Sequence, residues 1–284
     1  MRRILRDSQN VYINGERLRG VSSCSVSKTS SEQALSSVQG FAGWSLGGAE
    51  ALSFDVIQNI ISTHDPIPEL FGETNVNGEL FYESSSGNKS IGFGQGYIKS
   101  YSISCEVGSA PQISYSIQAY SDDPGDVSAQ DGGGHEGDIW VARPGFLDMN
   151  VDGRQTNAFQ SFSLSMDLDV SPKLITGQTL PSKFYLKTPI AVSCEFSLIL
   201  NDKNVPSLIN SICDSSDTQS FEFTFHNNCS VEEVEIRKFF LPYAKIQDVS
   251  VDASESDALT ANMSYKSNIL SIDELKKVFT GVEF

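Results

Sequence analysis

At 284 residues, 39% of them hydrophobic and 10% aromatic, the chain can fill one large or two ordinary cores, and wholesale disorder is excluded. Its formal net charge of -16 comes from 36 acidic and 20 basic residues and is spread over both halves, -9 over residues 1–138 and -7 over residues 139–284, which argues against tight binding to nucleic-acid phosphate. No run approaches the roughly 18 apolar residues of a membrane span, no apolar signal core follows Arg2, Arg3 and Arg6, and the five cysteines show no metal-type spacing.

Residues 11–29 open the chain's readable pattern as VYINGERLRGVSSCSVSKT. Asn14-Gly15 is a hairpin turn signal, because both central positions of a tight primed turn want positive φ. An alternating strand follows, with Val21, Cys24 and Val26 set between serines. Residues 28–51 are too long for a tight turn and carry Leu35, Phe41 and Trp44, which suits a loop that meets a partner. They could also fold back as extra strands. The run ALSFDVIQNII, residues 51–61, predicts a strand, and Asp65-Pro66 predicts a short helical turn ending near Gly72. Gly92-Phe93-Gly94-Gln95-Gly96 precedes an alternating strand instead of a helix, so it predicts a turn or bulge and not a phosphate cradle. Residues 97–120 predict a hairpin, with Ile113, Tyr115 and Ile117 on one face. The stretch SDDPGDVSAQDGGGHEGD, residues 121–138, is an acidic Gly/Pro linker.

The pattern then begins again. Asp152-Gly153 repeats Asn14-Gly15 at an offset of 138 and is followed by Phe159, Phe162 and Leu164 in alternation. Residues 167–189 form a second long insert with Leu174, Phe184 and Tyr185. Ser193, Pro206 and Phe221 repeat Ser53, Pro66 and Phe81 at an offset of 140, and Val205, Leu208, Ile209 and Ile212 predict a helix face. Tyr243 and Lys245 repeat Tyr97 and Lys99 at an offset of 146 and open a second hairpin, residues 243–266. Three ordered matches of the same element types predict an internal duplication. Ser271 and Glu274 form a capping box for a final helix whose apolar face is Ile272, Leu275, Val278 and Phe279. That helix could dock on its own domain or on a neighbouring subunit.

Candidate chemistry is sparse. His64, His135 and His226 lie in unrelated contexts, and no nucleophile elbow or metalloprotease helix is present. Carboxylate pairs such as Asp122-Asp123, Glu232-Glu233 and Asp167 with Asp169 read as solvated faces, and Asp126, Asp131 and Asp138 lack calcium-loop spacing. Cys105 and Cys194 alternate with apolar residues and read as small core side chains, reduced as in a cytoplasm, and Asn88, Asn228 and Asn262 are expected to carry no glycan. These features predict no enzyme, no cofactor and no metal.

The repeat unit of turn, strand, long insert, strand, short helix, strand and hairpin resembles the tail tube (major tail) protein family of long-tailed bacteriophages. Residues 162–200, FSLSMDLDVSPKLITGQTLPSKFYLKTPIAVSCEFSLIL, are similar to that family's long central hairpin and returning strand. The resemblance covers about residues 10–266. It implies a mainly β protein with minor α: two tandem tail-tube-like β-barrel or sandwich domains, residues 1–120 and 146–284, each with a short flanking helix, joined by the linker 121–145.

Three such chains would then form a pseudo-hexameric ring, with a hexamer as the alternative, and rings would stack into a virion tail tube after assembly in the host cytoplasm. Leu35, Phe41, Trp44, Leu174, Phe184 and Tyr185 would reach between rings. The implied partners are the chain itself, tape-measure, baseplate or hub, tail terminator and sheath proteins, with no membrane. DNA would pass through the lumen without specific binding. A baseplate hub, tube-initiator or distal tail protein of the same fold, and a carbohydrate-binding β-sandwich adhesin, stay open as alternatives.

Overall fold

The computed structural model describes residues 9–29, 32–37, 40–46, 51–61, 65–84, 87–121, 141–142, 147–151, 154–156, 159–173, 175, 180–200, 218–226, 235–252 and 259–280. The protein is mainly β. The first half holds β1 (Gln9–Ile13), β2 (Glu16–Arg17), β3 (Val21–Thr29), β4 (Glu32–Ser37), β5 (Gly40–Leu46), β6 (Ala51–Asn59), a 3-10 helix (Ile67–Leu70), β7 (Val76–Ser84), β8 (Gly87–Glu106) and β9 (Gln112–Ala119). The second holds β10 (Leu147–Val151), β11 (Arg154–Thr156), β12 (Phe159–Asp167), β13 (Val170–Lys173), β14 (Lys183–Leu186), β15 (Ile190–Ile199), β16 (Gln219–His226), β17 (Glu235–Asp252), β18 (Thr260–Ile269) and α1 (Ile272–Thr280).

Local chemistry explains the first hairpin. Asn14 and Gly15 adopt φ of 48° and 83°, so Ile13 pairs directly with Glu16 across a two-residue turn. The Asn14 carboxamide oxygen accepts from Asn77 N–H at 2.8 Å, which ties the turn to the next strand. Asp152 and Gly153 lie outside the described residues, and Val151 pairs with Arg154 on either side of them.

Both halves are wired alike. In the first, β3, β6, β9 and the C-terminal part of β8 form one sheet, while the N-terminal part of β8 crosses over to a second layer ordered β8-β7-β1-β2. In the second, β12, β15, β18 and the C-terminal part of β17 form the sheet, and the N-terminal part of β17 enters a layer ordered β17-β16-β10-β11. Each half therefore bends a long strand from one layer into another. Gln95 and Tyr243, at φ of 52° and 51°, mark the two bends, at an offset of 148. Gly92–Gly96 accordingly sits inside the 20-residue strand β8, opposite a ladder irregularity at Val76/Gly78.

Ladder irregularities correct two of the alignments drawn from sequence. Breaks at Ile98/Ser100 and Ile246/Asp248 give an offset of 148, not 146. Breaks at Val76/Gly78 and Gln219/Phe221 give an offset of 143, so Phe221 corresponds to Gly78 and not to Phe81. The offset of 138 for the opening strands agrees with the breaks at Val21/Ser23 and Phe159/Ser161. The first correction is a slip of two, which leaves each side chain on the same face because a strand repeats every two residues; the second is a slip of three, which changes the face.

The corrected register exposes a size exchange. Gly78 faces the fully buried Phe93, and a Cβ at Gly78 would overlap the Phe93 ring. In the second half the large residue is on the other strand, with Phe221 opposite Leu241. Gly78→Ala is expected to cost about 1–3 kcal/mol by overpacking, read from the urea midpoint. Adding Phe93→Leu should recover most of that loss; no recovery would place the strain elsewhere.

The two halves share one continuous sheet. β8 pairs β12 from Ser100↔Asp167 to Glu106↔Ser161, giving a main sheet ordered β3-β6-β9-β8-β12-β15-β18-β17. Hydrogen bonds from Leu168 N–H to Lys99 O (2.7 Å) and from Val107 N–H to Gln160 O (3.0 Å) flank this seam. The small sheets cover one face of the main sheet, with Phe54 against Phe93 in the first half and Phe162 against Phe223 in the second.

The C-terminal helix docks on its own chain, across the two halves. Ser271 Oγ accepts from Glu274 N–H at 3.2 Å, and Glu274 Oε2 accepts from Leu270 N–H at 3.1 Å. Phe279 then packs edge-on against Phe71 and Tyr101 of the first half, at 5.6 and 4.9 Å between ring centroids. The predicted helix at 205–212 and the linker residues 122–140 lie outside the described residues.

Candidate functional site: a concave polar face and two strand edges

Alternation gives the main sheet two unlike faces. The covered face buries Phe54, Val56, Ile103, Leu164, Val192 and Phe196. The uncovered face is built largely of serine. One row across the ladder reads Ser114, Ser102, Ser165, Ser193, and the next reads Gln112, Ser104, Ser163, Glu195, Ser264, Asp248. Ala51, Ile57, Ala191 and Ile199 are apolar members of this face.

Its charge is mostly negative. Asp55, Glu106, Asp167, Glu195, Asp248 and Asp252 share this face, while Lys245 and Lys266 pair with each other near one end. The face is also concave: a hollow of about 690 Å³ spans the seam and is lined by Ser104, Glu106, Ser163, Glu195, Asp248 and Asn262, among others. Side chains this short leave a smooth wall of hydroxyls, and the carboxylates repel polyanions.

Among the described residues the main sheet has two open edges, β3 and the Lys245–Asp252 half of β17, each paired on one side. Their covered-face side chains are under-buried. Val251 is 50% exposed, and Val249, Val26 and Cys24 are part-exposed. Their counterparts at the internal seam, Ile103, Tyr101, Leu164 and Phe162, are buried to 2% exposure or less. Long, regular edges with half-covered apolar residues are templates for pairing.

Burial, and then the Asp55 carboxylate, push the Cys24 thiol up to about 12. Cys24 is expected to react with iodoacetamide at pH 8 at least a hundredfold more slowly in the native chain than in urea, followed by peptide mass spectrometry. Native labelling at the unfolded rate would show that the edge opens.

A buried polar cluster braces the seam. Asp65 Oδ1 accepts from Ile67 N–H at 3.1 Å, and Oδ2 accepts from Tyr101 O–H at 2.6 Å. Arg237 of the second half lies 3.2 Å from the same Oδ2, with Asp65 and Arg237 side chains 2% and 12% exposed. Burial, and then the Asp65 charge, hold the Tyr101 phenol well above its ordinary range, so it stays a donor.

The long inserts are both hairpins. β4 pairs β5, and β13 pairs β14, as separate two-stranded sheets. Leu35, Phe41 and Trp44 lie on β4 and β5, opposite Gly43, Ser36 and Ala34. Trp44 and Phe184 hold the same register position, opposite Ala34 and Pro172. Phe184 is half-buried against Tyr97 and Tyr120 of the first half, at 5.6 and 5.8 Å, so within one chain it is a seam contact. Tyr185 is 52% exposed, and Leu174 lies outside the described residues.

Sequence inspection pointed to these hairpins and missed both edges and the Asp65–Arg237 pair. The edges left one trace, serine–valine alternation in SVSK and VSVD, residues 25–28 and 249–252. Cys105 and Cys194 are both buried in the core. Among the described residues no group of three or more His, Cys, Asp or Glu could hold a metal ion, and no helix is long and apolar enough to cross a membrane. No protein-family model matches the chain, and no curated protein resembles it significantly in sequence.

Proposed function

We propose that this chain is a structural protein whose copies join into closed rings, and that stacked rings form the tail tube through which a long-tailed phage passes its DNA. The observation that carries the reading is the β8–β12 seam. It welds two alike-wired halves into one sheet that is concave on its polar face and open at both ends. A seam between dissimilar edges is heterologous, and heterologous contacts propagate from copy to copy and form a ring where the rotation closes.

Size decides how many copies are needed. A barrel of about 8 strands, one chain closed on itself, is filled by its own inward side chains, and here those would include six carboxylates. Two chains would give a porin-sized channel. Three chains give 24 strands from the eight that each contributes to the main sheet. At about 4.8 Å per strand that is roughly 37 Å across at the backbone, before tilt widens it. This suits a DNA duplex, and the serine and carboxylate face would let it slide without counterion-release binding. The descent of both halves from one duplicated tube domain accounts for the shared wiring. The exposed face of the β13–β14 hairpin, with Tyr185, is the candidate contact to the next ring.

Negative-stain microscopy with light scattering tests this on the purified chain. Rings or tubes with an open channel, in mass steps of three chains, are expected. Steps of six would keep the tube and remove the trimer. A monomer at millimolar concentration, with no channel-bearing particle, would overturn the reading.

A further inference from the structure

The internal seam also prescribes the seam between chains: we infer that the Asp248–Asp252 segment of β17 pairs antiparallel with β3 of a second copy, with Asp248 opposite Thr29, Ser250 opposite Ser27 and Asp252 opposite Ser25. The inference rests on the ring reading and adds to it the two strands, their direction and their register.

The register follows from transposing observed pairs. Within the chain, Ser100, Ser102 and Ser104 of β8 face Asp167, Ser165 and Ser163 of β12. The matched ladder breaks relate β17 to β8 by an offset of 148, and β12 to β3 by an offset of 138. Carrying each partner across gives the pairs above, with Val251 opposite Val26, as Ile103 is opposite Leu164.

The face alternation suits this register and rejects a one-residue slip. The inferred register sets Val251 on Val26 on the covered side, closing the two half-exposed positions, and sets Ser250 on Ser27 in the polar wall. A slip of one residue would put Val251 opposite a serine and break the face alternation. The inferred register also sets Val249 opposite Lys28, and a slip of two would instead put Val251 opposite Lys28, or Val251 opposite Cys24 and Val249 opposite Val26, so between registers of the same parity the transposed pairs decide. No like charges oppose one another in the inferred register.

The two seams are not equally strong. Tyr101, which donates to Asp65, has Val249 as its counterpart, and Arg237 has Lys89, which is solvent-exposed. The seam between chains therefore lacks the Tyr101–Asp65–Arg237 bracing. It forms on assembly, while the internal seam forms on folding.

Cysteine pairs in the full-length chain test this. Directly opposed Cβ atoms lie about 4.5–5.5 Å apart, near disulfide range, whereas partners two residues off lie about 7–8 Å apart. Ser27→Cys with Ser250→Cys, oxidised under assembly conditions, should give a ladder of covalent oligomers on a non-reducing gel that ends at the closed ring. Each single variant, and the offset pair Ser25→Cys with Ser250→Cys, should yield at least tenfold less. Preferential cross-linking of the offset pair would overturn the register. Assembly by light scattering with neither pair cross-linking would overturn the choice of edges and leave the ring standing. A chain that neither assembles nor cross-links would remove the ring and this seam together.

Discussion

Replacing Arg237 by methionine is expected to lower the unfolding free energy by about 3–5 kcal/mol, a large share of the roughly 5–15 kcal/mol that holds an ordinary domain folded. The reason is what remains behind. Asp65 is 2% exposed and takes its charge compensation from Arg237 at 3.2 Å. Without the guanidinium, the carboxylate keeps its bonds from Tyr101 and Ile67 but loses its compensating cation in a site closed to water. Asp65→Asn together with Arg237→Met should be far milder than Arg237→Met alone, because an amide can accept from Ile67 N–H with its oxygen, can turn its NH2 to the Tyr101 hydroxyl oxygen, and carries no charge to strand. Urea midpoints of the two single variants and the double variant give the coupling directly. A loss for Arg237→Met no larger than that of an ordinary surface change, about 0.5 kcal/mol, would mean that water reaches Asp65 and that the halves are held by the sheet alone.

The second large effect is on assembly and leaves the monomer intact. Val251→Asp puts a charge on a side chain that is 50% exposed in the single chain. Its cost to folding is expected to stay within about 0.5 kcal/mol, as for ordinary surface changes. In a ring the same carboxylate would be trapped opposite Val26, where an unpaired charge is costly. Light scattering should therefore show particles for the parent chain and monomers for the variant, at matched melting temperature. Mixing Val251→Asp with Val26→Asp sharpens the outcome. Each retains one sound edge, so the mixture should stop at a heterodimer with a single seam. Tubes from Val251→Asp alone would show that this edge takes no part in assembly.

Much of the local architecture was legible in the sequence because its causes are local. Asn14-Gly15 needs positive φ and sits at a turn; Ile113, Tyr115 and Ile117 alternate and share a buried face; Ser271 and Glu274 cap the last helix. Pro66 opens a short 3-10 turn ending just before Gly72. Alignment of the halves was less secure. Tyr97 with Tyr243 and Phe81 with Phe221 match as letters and not as ladder positions, since a bulge adds a residue without any composition signal.

What governs the proposed assembly arises from contacts across long sequence distances. Glu106 meets Ser161 only because β8 pairs with the second half, Arg237 reaches back to Asp65, and Phe279 reaches back to Tyr101. None of these has a periodic signature, because a pairing partner is chosen by the whole sheet and not by either strand. A mainly β chain with two alternating, serine-rich hairpins could be read from local pattern, since period-two alternation and turn residues act within a few bonds. Which serine face lies open, which strands stay unpaired, and that both halves share one sheet were decided only by folding, which sets the neighbour of every strand.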